Sequence, residues 1–152
     1  MKIYISSDHA GFDLKTHLIT FFKDKNFDVA DKGPFEKNPD DDYPDLIALV
    51  AEEVSQNPLE ALGIVIGLSG QGEAMAANKF QNVRAGVYYG GPKEIVELMR
   101  EHNNANVLSL GAKFLSKEEA EMAVALWLET KFSNDPRHVR RIEKMNDLGK
   151  YL

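Results

Sequence analysis

The chain has 152 residues, of which 43% are hydrophobic and 28% are charged, a balance typical of one folded globular domain rather than a disordered chain. It contains no cysteine, which excludes a disulfide framework, a thiolate metal site and a catalytic thiol. The net charge of -6 argues against a broad electrostatic interaction with nucleic acid.

The first half of the chain alternates short segments rich in β-branched residues with longer segments whose apolar residues recur every three or four positions. The short segments predict strands and the longer ones predict helices. A Pro-, Asn- and Asp-rich stretch between them predicts a loop. In chain order the elements are a strand, a helix, a strand, the loop and a helix: Lys2–Ser6, Leu14–Lys25, Phe27–Ala30, 33–43 and Pro44–Val54.

The second half begins with a continuous apolar run, as expected of a central parallel strand that is buried on both faces. A glycine-rich turn at 68–72 follows this run. Ser116 and Glu119 have the spacing of a capping box that opens a helix. The predicted elements are strand Leu62–Ile66, helix Glu73–Phe80, strand Arg84–Tyr88, helix Pro92–Glu101, strand Val107–Leu110, helix Ser116–Lys131 and helix Pro136–Asp147.

Five strands separated by helices predict an α/β fold: one domain over 1–152, doubly wound, as a Rossmann-like three-layer sandwich with a five-stranded parallel sheet. The sequence contains no run of about 18 apolar residues, so no membrane span is predicted. The N-terminal segment is too short and polar for a signal peptide, so we expect a cytoplasmic protein without a membrane partner. Ligands of such sheets bind beyond the carboxyl ends of the strands. Those ends are Ser7–Gly11, 31–43, Gly67–Gly72, Tyr89–Pro92 and Gly111–Lys113.

Two of these strand ends carry groups suited to a polar ligand. Asp8 and His9 follow the first strand and can face a ligand; alternatively, Asp8 caps the next helix and His9 is a surface residue. The glycines of Gly67–Gly72 let backbone N–H groups approach an anion at the start of a helix. This loop lacks the Walker sequence, and it fits a phosphate, a dinucleotide or a developing oxyanion.

Glu73 opens the helix that follows the glycine-rich loop. Its carboxylate either compensates the helix dipole or serves as a general base. The helix N-terminus would lower the pKa of this carboxyl group and burial would raise it, and the sequence leaves open which effect is larger.

Two further segments hold candidate residues. His102 ends a predicted helix and precedes an Asn-rich stretch that is typical of a turn. Arg137, Arg140 and Arg141 share a helix face that suits a phosphate, unless they form a solvated face paired with neighbouring acids. The four histidines lack the spacing of a helical metal pair, so no metal site is predicted.

Four collinear motifs together resemble ribose-5-phosphate isomerase type B, in the family that also holds galactose-6-phosphate isomerase subunits and allose-phosphate isomerases. They are DHAG at 8–11, IGLSGQGE leading into AANK at 76–79, HNNANVLSLG at 102–111 and RHVRRI at 137–142. The resemblance implies conversion of an aldose phosphate to a ketose phosphate without a metal or another cofactor.

The resemblance also implies roles for individual residues. The catalytic residues would be Glu73, Ser69 and His102. Substrate would be bound by Asp8, His9, Tyr43, Gly70, Gly72, Asn103, Lys113, Arg137 and Arg141. Many members carry a catalytic cysteine where this chain has Gly67, so the chain is similar to the subgroup that uses a glutamate instead. Lys113 stands where relatives often carry arginine, and it supplies charge without a bidentate fork.

The expected reaction is the interconversion of ribose 5-phosphate and ribulose 5-phosphate through an enediolate, in the pentose phosphate pathway. Two alternatives stay open: a six-carbon substrate such as allose 6-phosphate or galactose 6-phosphate, and a non-catalytic sugar-phosphate sensor. The resemblance implies a homodimer or tetramer whose subunits share the active site. The C-terminal helix, at about 136–147, would then pack at the subunit interface.

Overall fold

The computed structural model describes residues 1–148 and contains five strands and six helices over that range. The strands are β1 (Lys2–Ser7), β2 (Val29–Asp31), β3 (Ala61–Gly67), β4 (Ala85–Tyr88) and β5 (Val107–Gly111). The helices are α1 (Phe12–Asp24), α2 (Tyr43–Gln56), α3 (Gln71–Ala77), α4 (Glu94–Glu101), α5 (Lys117–Glu129) and α6 (Pro136–Asp147). The predicted α/β architecture is therefore confirmed.

The five strands form one parallel sheet in the order β2-β1-β3-β5-β4. All residues of β3 are buried, because this strand lies at the centre of the sheet with helices on both faces. Ser7 of β1 pairs with Ile66 of β3, and Gly67 pairs with Gly111 of β5. The carboxyl ends of these three strands are thus level with one another. They include the point between β1 and β3 at which the strand order of the doubly wound sheet reverses.

Helices cover both faces of the sheet and bury two apolar clusters. On one face, α1, α4 and α5 pack around a cluster that includes Phe22, Ile64, Leu108 and Trp127. On the other face, α2 and α3 cover a smaller cluster that includes Val50 and Val65. The capping box predicted at Ser116 and Glu119 is present at the start of α5.

Most predicted bounds differ from the structure by one to three residues, and two of these differences have local reasons. The second strand begins at Val29 rather than Phe27, because the Phe27 N–H donates to the carbonyl of Phe22 and its ring packs against the Phe22 ring. Helix α3 begins at Gln71 and ends at Ala77, because Gly70 takes a left-handed conformation that starts the helix. Among residues 1–148, no helix is long and apolar enough to span a bilayer.

Helix α6 lies outside both helical layers. Of its residues, only His138 is buried. The segment before it is fixed to the end of α4, because the Ser133 N–H donates to the carbonyl of Glu101 at 3.0 Å. The start of α6 is therefore held beside the C-terminus of α4.

Candidate active site

The carboxyl ends of β1, β3 and β5 bring the first group of candidate residues together. The Asp8 N–H donates to the carbonyl of Ile66, and the Asp8 carboxylate accepts the Gly11 N–H at 2.9 Å. Asp8 thus closes the turn before α1, whose N-cap residue is Gly11, and lies next to the end of β3. The Lys113 N–H donates to the carbonyl of Leu68, which attaches the β5 end to the same site.

The Glu73 side chain lies directly over the backbone of Gly67. A Cβ atom at residue 67 would overlap the Glu73 carboxylate, so only glycine leaves room for it. Glu73 is itself only 4% exposed. The space that a side chain at residue 67 would occupy is therefore filled by the Glu73 carboxylate of the next helix.

Burial raises the pKa of the Glu73 carboxyl group. Backbone hydrogen bonds at Glu73 and Gly70 act in the opposite direction, and the nearby Asp8 charge raises the pKa further. Burial therefore has a larger effect on the pKa of Glu73 than the N–H groups at the start of the helix, which the sequence left open. A carboxylate with a raised pKa is a stronger base than an exposed one, as proton abstraction from carbon requires.

The glycine-rich loop turns sharply against the end of β5. Gly70 has a φ of +77°, and a Cβ atom there would lie 2.9 Å from the carbonyl carbon of Leu110. Ser69 Oγ accepts the Gln71 N–H in a long contact of 3.4 Å. The Tyr43 ring packs over Gly72, where a Cβ atom would lie 2.9 Å from Tyr43 Cζ. Tyr43, Ser69, Gly70, Gly72 and Glu73 are therefore neighbours in the structure.

His9 has a partner that the sequence did not indicate. Its Nδ1 lies 2.6 Å from the Asp41 Oδ1 atom, and this hydrogen bond raises the pKa of the imidazole. Asp41 belongs to a run of acids before α2 that is typical of a solvated loop, so spacing alone gave no sign of the contact.

The second group of candidate residues lies at the other end of the strands, where their amino ends meet. Helix α4 runs back from the end of β4 to the start of β5, so His102 and Asn103 precede the amino end of β5. The five residues of β5 span about 16 Å between the two edges. Within one chain, the structure therefore separates His102 and Asn103 from Glu73.

Arg137 and Arg141 belong to the second group because α6 begins beside His102. The His102 and His138 rings lie 4.2 Å apart between centroids, and Ser133 Oγ lies 2.8 Å from His138 Nδ1. Burial and the neighbouring His102 lower the pKa of His138. Arg137 pairs with Asp135 at 3.3 Å.

Two arginines missed by the sequence analysis hold the turn that carries His102 and Asn103. Arg84 Nε donates to the carbonyls of Asn103 and Asn104, and Arg100 Nη1 donates to the carbonyl of Ala105 at 2.6 Å. Burial lowers the pKa of both guanidinium groups. Neither arginine stands in a pattern of charges that could have indicated this role.

Comparison with known proteins agrees with this geometry. The model of the family described as Ribose/Galactose Isomerase matches residues 3–145. The chain is 38% identical to ribose-5-phosphate isomerase B of Mycolicibacterium paratuberculosis, over 94% of this chain and 88% of that protein. It is 41% identical to the probable ribose-5-phosphate isomerase B of Mycoplasma genitalium, over 95% and 93% of the two chains.

A solved structure gives the same result. The crystal structure of ribose-5-phosphate isomerase B from Mycoplasma genitalium with bound ribulose-5-phosphate superposes with a TM-score of 0.94 at 39% identity. The match covers 99% of this chain and 97% of that one. The protein described here belongs to the ribose/galactose isomerase family.

Proposed function

We propose that the protein interconverts ribose 5-phosphate and ribulose 5-phosphate. The observation that carries this proposal is the buried Glu73 carboxylate, seated over Gly67 beside a glycine-rich loop at the carboxyl edge of the sheet. The similar Mycoplasma genitalium structure with bound ribulose-5-phosphate supports a five-carbon substrate over a six-carbon one. We assign the reaction to the pentose phosphate pathway in the cytoplasm.

The proposed reaction moves one proton between two carbons. His102 assists opening of the ribose ring by giving a proton to the ring oxygen as the bond from C1 to that oxygen breaks, while the C1 hydroxyl loses its proton to water and O1 becomes the aldehyde oxygen. Glu73 then removes the C2 proton, the C2–H electrons form the C1–C2 double bond, and the negative charge moves to O1. Backbone N–H groups of Gly70 and Gly72 stabilise this enediolate. Glu73 returns a proton to C1 while O2 loses its proton, O1 gains one, and the ketose forms.

The proposed active site needs two copies of the chain. Glu73 and His102 lie at opposite edges of the sheet in one chain, yet the reaction requires both at one sugar. A two-fold dimer can place the His102 edge of one subunit against the Glu73 edge of the other. Helix α6 would then lie at the subunit interface and carry Arg137 and Arg141 to the phosphate bound by the partner.

Turnover of several sugar phosphates tests the proposed substrate. We expect a higher kcat/KM for ribose 5-phosphate than for allose 6-phosphate or galactose 6-phosphate. Measured initial rates with each sugar, at matched pH, give the comparison. A higher kcat/KM for a six-carbon sugar would mean that the protein catalyses the same reaction on a six-carbon substrate. Binding without turnover of any sugar would favour a non-catalytic sugar-phosphate sensor.

Loss of one arginine tests the proposed phosphate contact. Arg141→Ala should raise KM for ribose 5-phosphate by about tenfold to a hundredfold, because a charged hydrogen bond to phosphate is lost. Lys144→Ala removes one positive charge from the last turn of the same helix and is the matched control. A KM of Arg141→Ala equal to that of the wild-type protein, measured from initial rates, would mean that the arginines form a solvated face.

A further inference from the structure

We propose that Asp41 is a positioning residue that holds His9 with its Nε2 atom free to donate a hydrogen bond to the phosphorylated sugar. This proposal rests on the proposed function, because it concerns how the same site binds its substrate. Asp41 acts through His9 and does not itself touch the reacting carbons.

The contact between Asp41 and His9 joins two separate parts of the chain. His9 follows β1, and Asp41 lies in the loop before α2, 32 residues away. The 2.6 Å contact uses Nδ1 of the imidazole, which leaves Nε2 as the one ring nitrogen for a ligand. The His9 side chain is 38% exposed and the Asp41 side chain only 10% exposed, so the histidine faces outward from a buried carboxylate.

The burial of Asp41 is costly unless the contact serves a purpose. Asp41 Oδ2 is buried without a hydrogen-bond partner, and the other oxygen bonds to His9. A buried carboxylate with an unpaired oxygen destabilises the fold relative to an exposed one. The neighbouring Asp40 and Asp42 are exposed and Asp41 is partly buried, so this loop shields one acid of three and directs it to His9.

The charges around His9 favour its protonated form. Asp41 and Asp8 raise the pKa of the imidazole, whereas Lys37 and partial burial lower it, and the hydrogen bond to Asp41 is the largest of these effects. A protonated His9 donates from Nε2 to an anion. Asp8 and Glu73 are acidic neighbours at this edge, so a cation here offsets their repulsion of a phosphorylated substrate.

Direct titration of His9 is the first part of the test. In the full-length protein, two-dimensional 15N NMR of the imidazole follows the protonation of each histidine, and the spectrum of His9→Asn identifies the His9 signals. We expect a proton on Nδ1 in the wild-type protein at all pH values. We also expect Asp41→Asn to lower the pKa of His9, whereas Asp40→Asn, one residue away and exposed, leaves it unchanged.

Steady-state kinetics with ribose 5-phosphate is the second part. Asp41→Asn should raise KM by about tenfold with little change in kcat, because a charged donor to substrate is weakened. Protonation of His9 is lost as the pH rises through its pKa. KM of the variant should therefore rise at a lower pH than KM of Asp40→Asn.

A double-mutant cycle separates positioning from general loop stability. If Asp41 acts through His9, then Asp41→Asn has no further effect on KM in the His9→Asn background. Additive effects in that background, or an unchanged His9 titration in Asp41→Asn, would overturn the proposal. A wild-type protein that shows the His9 titration but no isomerase activity would instead overturn the proposed function and leave the Asp41–His9 pair intact.

Discussion

Glu73→Gln is expected to lower kcat for ribose 5-phosphate by roughly 10²–10⁴-fold, the usual contribution of a positioned general base. The amide keeps the shape that fits over Gly67 and removes the basicity. KM should change much less than kcat, because Glu73 acts on the C2 proton rather than on the phosphate. Initial-rate kinetics on the purified variant gives both constants.

The raised pKa of Glu73 leads to a second prediction for the same variant, which concerns its stability. Burial raises the folded-state pKa above the unfolded value, so the folded protein binds a proton more tightly than the unfolded chain. Stability is therefore lost as the pH rises through the interval between the two values, and at pH 7 the buried charge opposes folding. The Tm of Glu73→Gln at pH 7, measured by calorimetry, should be at least as high as that of the wild-type protein.

Activity of the wild-type enzyme should show the opposite pH trend. Only the ionised Glu73 accepts a proton, so kcat/KM rises as the pH increases through its raised pKa. Glu118→Gln, an exposed change in the first turn of α5, is the matched control for both measurements. Near wild-type kcat in Glu73→Gln would remove Glu73 from the role of base.

Mixing two inactive variants is expected to restore activity if the site is shared. The test pairs Glu73→Gln with His102→Gln, each of which disables both sites of its own homodimer. In a mixed dimer, one site receives both substitutions and the other receives neither. Random pairing at equal amounts puts half the subunits in mixed dimers, so activity should recover to about one quarter of the wild-type value.

The recovery must depend on exchange of subunits. The two variants are refolded together or produced in one cell, and light scattering confirms the mass of a dimer. The two variants refolded separately and then combined are the control, and they should show no recovery. Activity equal to the sum of the parents after joint refolding would mean that each chain uses its own His102.

Much of the fold could be predicted because its signals are local. The apolar run at Leu62–Ile66 marked the central strand, and the spacing of Ser116 and Glu119 marked the start of a helix. The errors in the predicted element bounds also arise from contacts between residues close in the chain. Phe27 has a high strand propensity but packs on Phe22 at the end of α1, and this tertiary contact displaced the predicted start of β2.

The candidate site was predictable in its residues and less so in its geometry. Glu73 was identified as a candidate base, but the space over Gly67 that receives it depends on the path of the chain between β3 and α3. The separation of His102 from Glu73 follows from the direction of α4, which returns from the carboxyl end of β4 to the amino end of β5 in a parallel sheet. Asp41 gave no signal, because a loop acid becomes buried only through contacts 32 residues away.

Proton NMR of ribose 5-phosphate in D₂O with the purified protein tests the central claim most directly, namely that a base moves the C2 proton to C1. We predict that ribulose 5-phosphate appears, that the C2 proton signal of ribose 5-phosphate declines, and that deuterium enters C1 of the product to the extent that the proton held by Glu73 exchanges with solvent. Glu73→Gln should show none of these changes on the same timescale. Unchanged ribose 5-phosphate with the wild-type protein, or conversion by Glu73→Gln at the wild-type rate, would contradict the account.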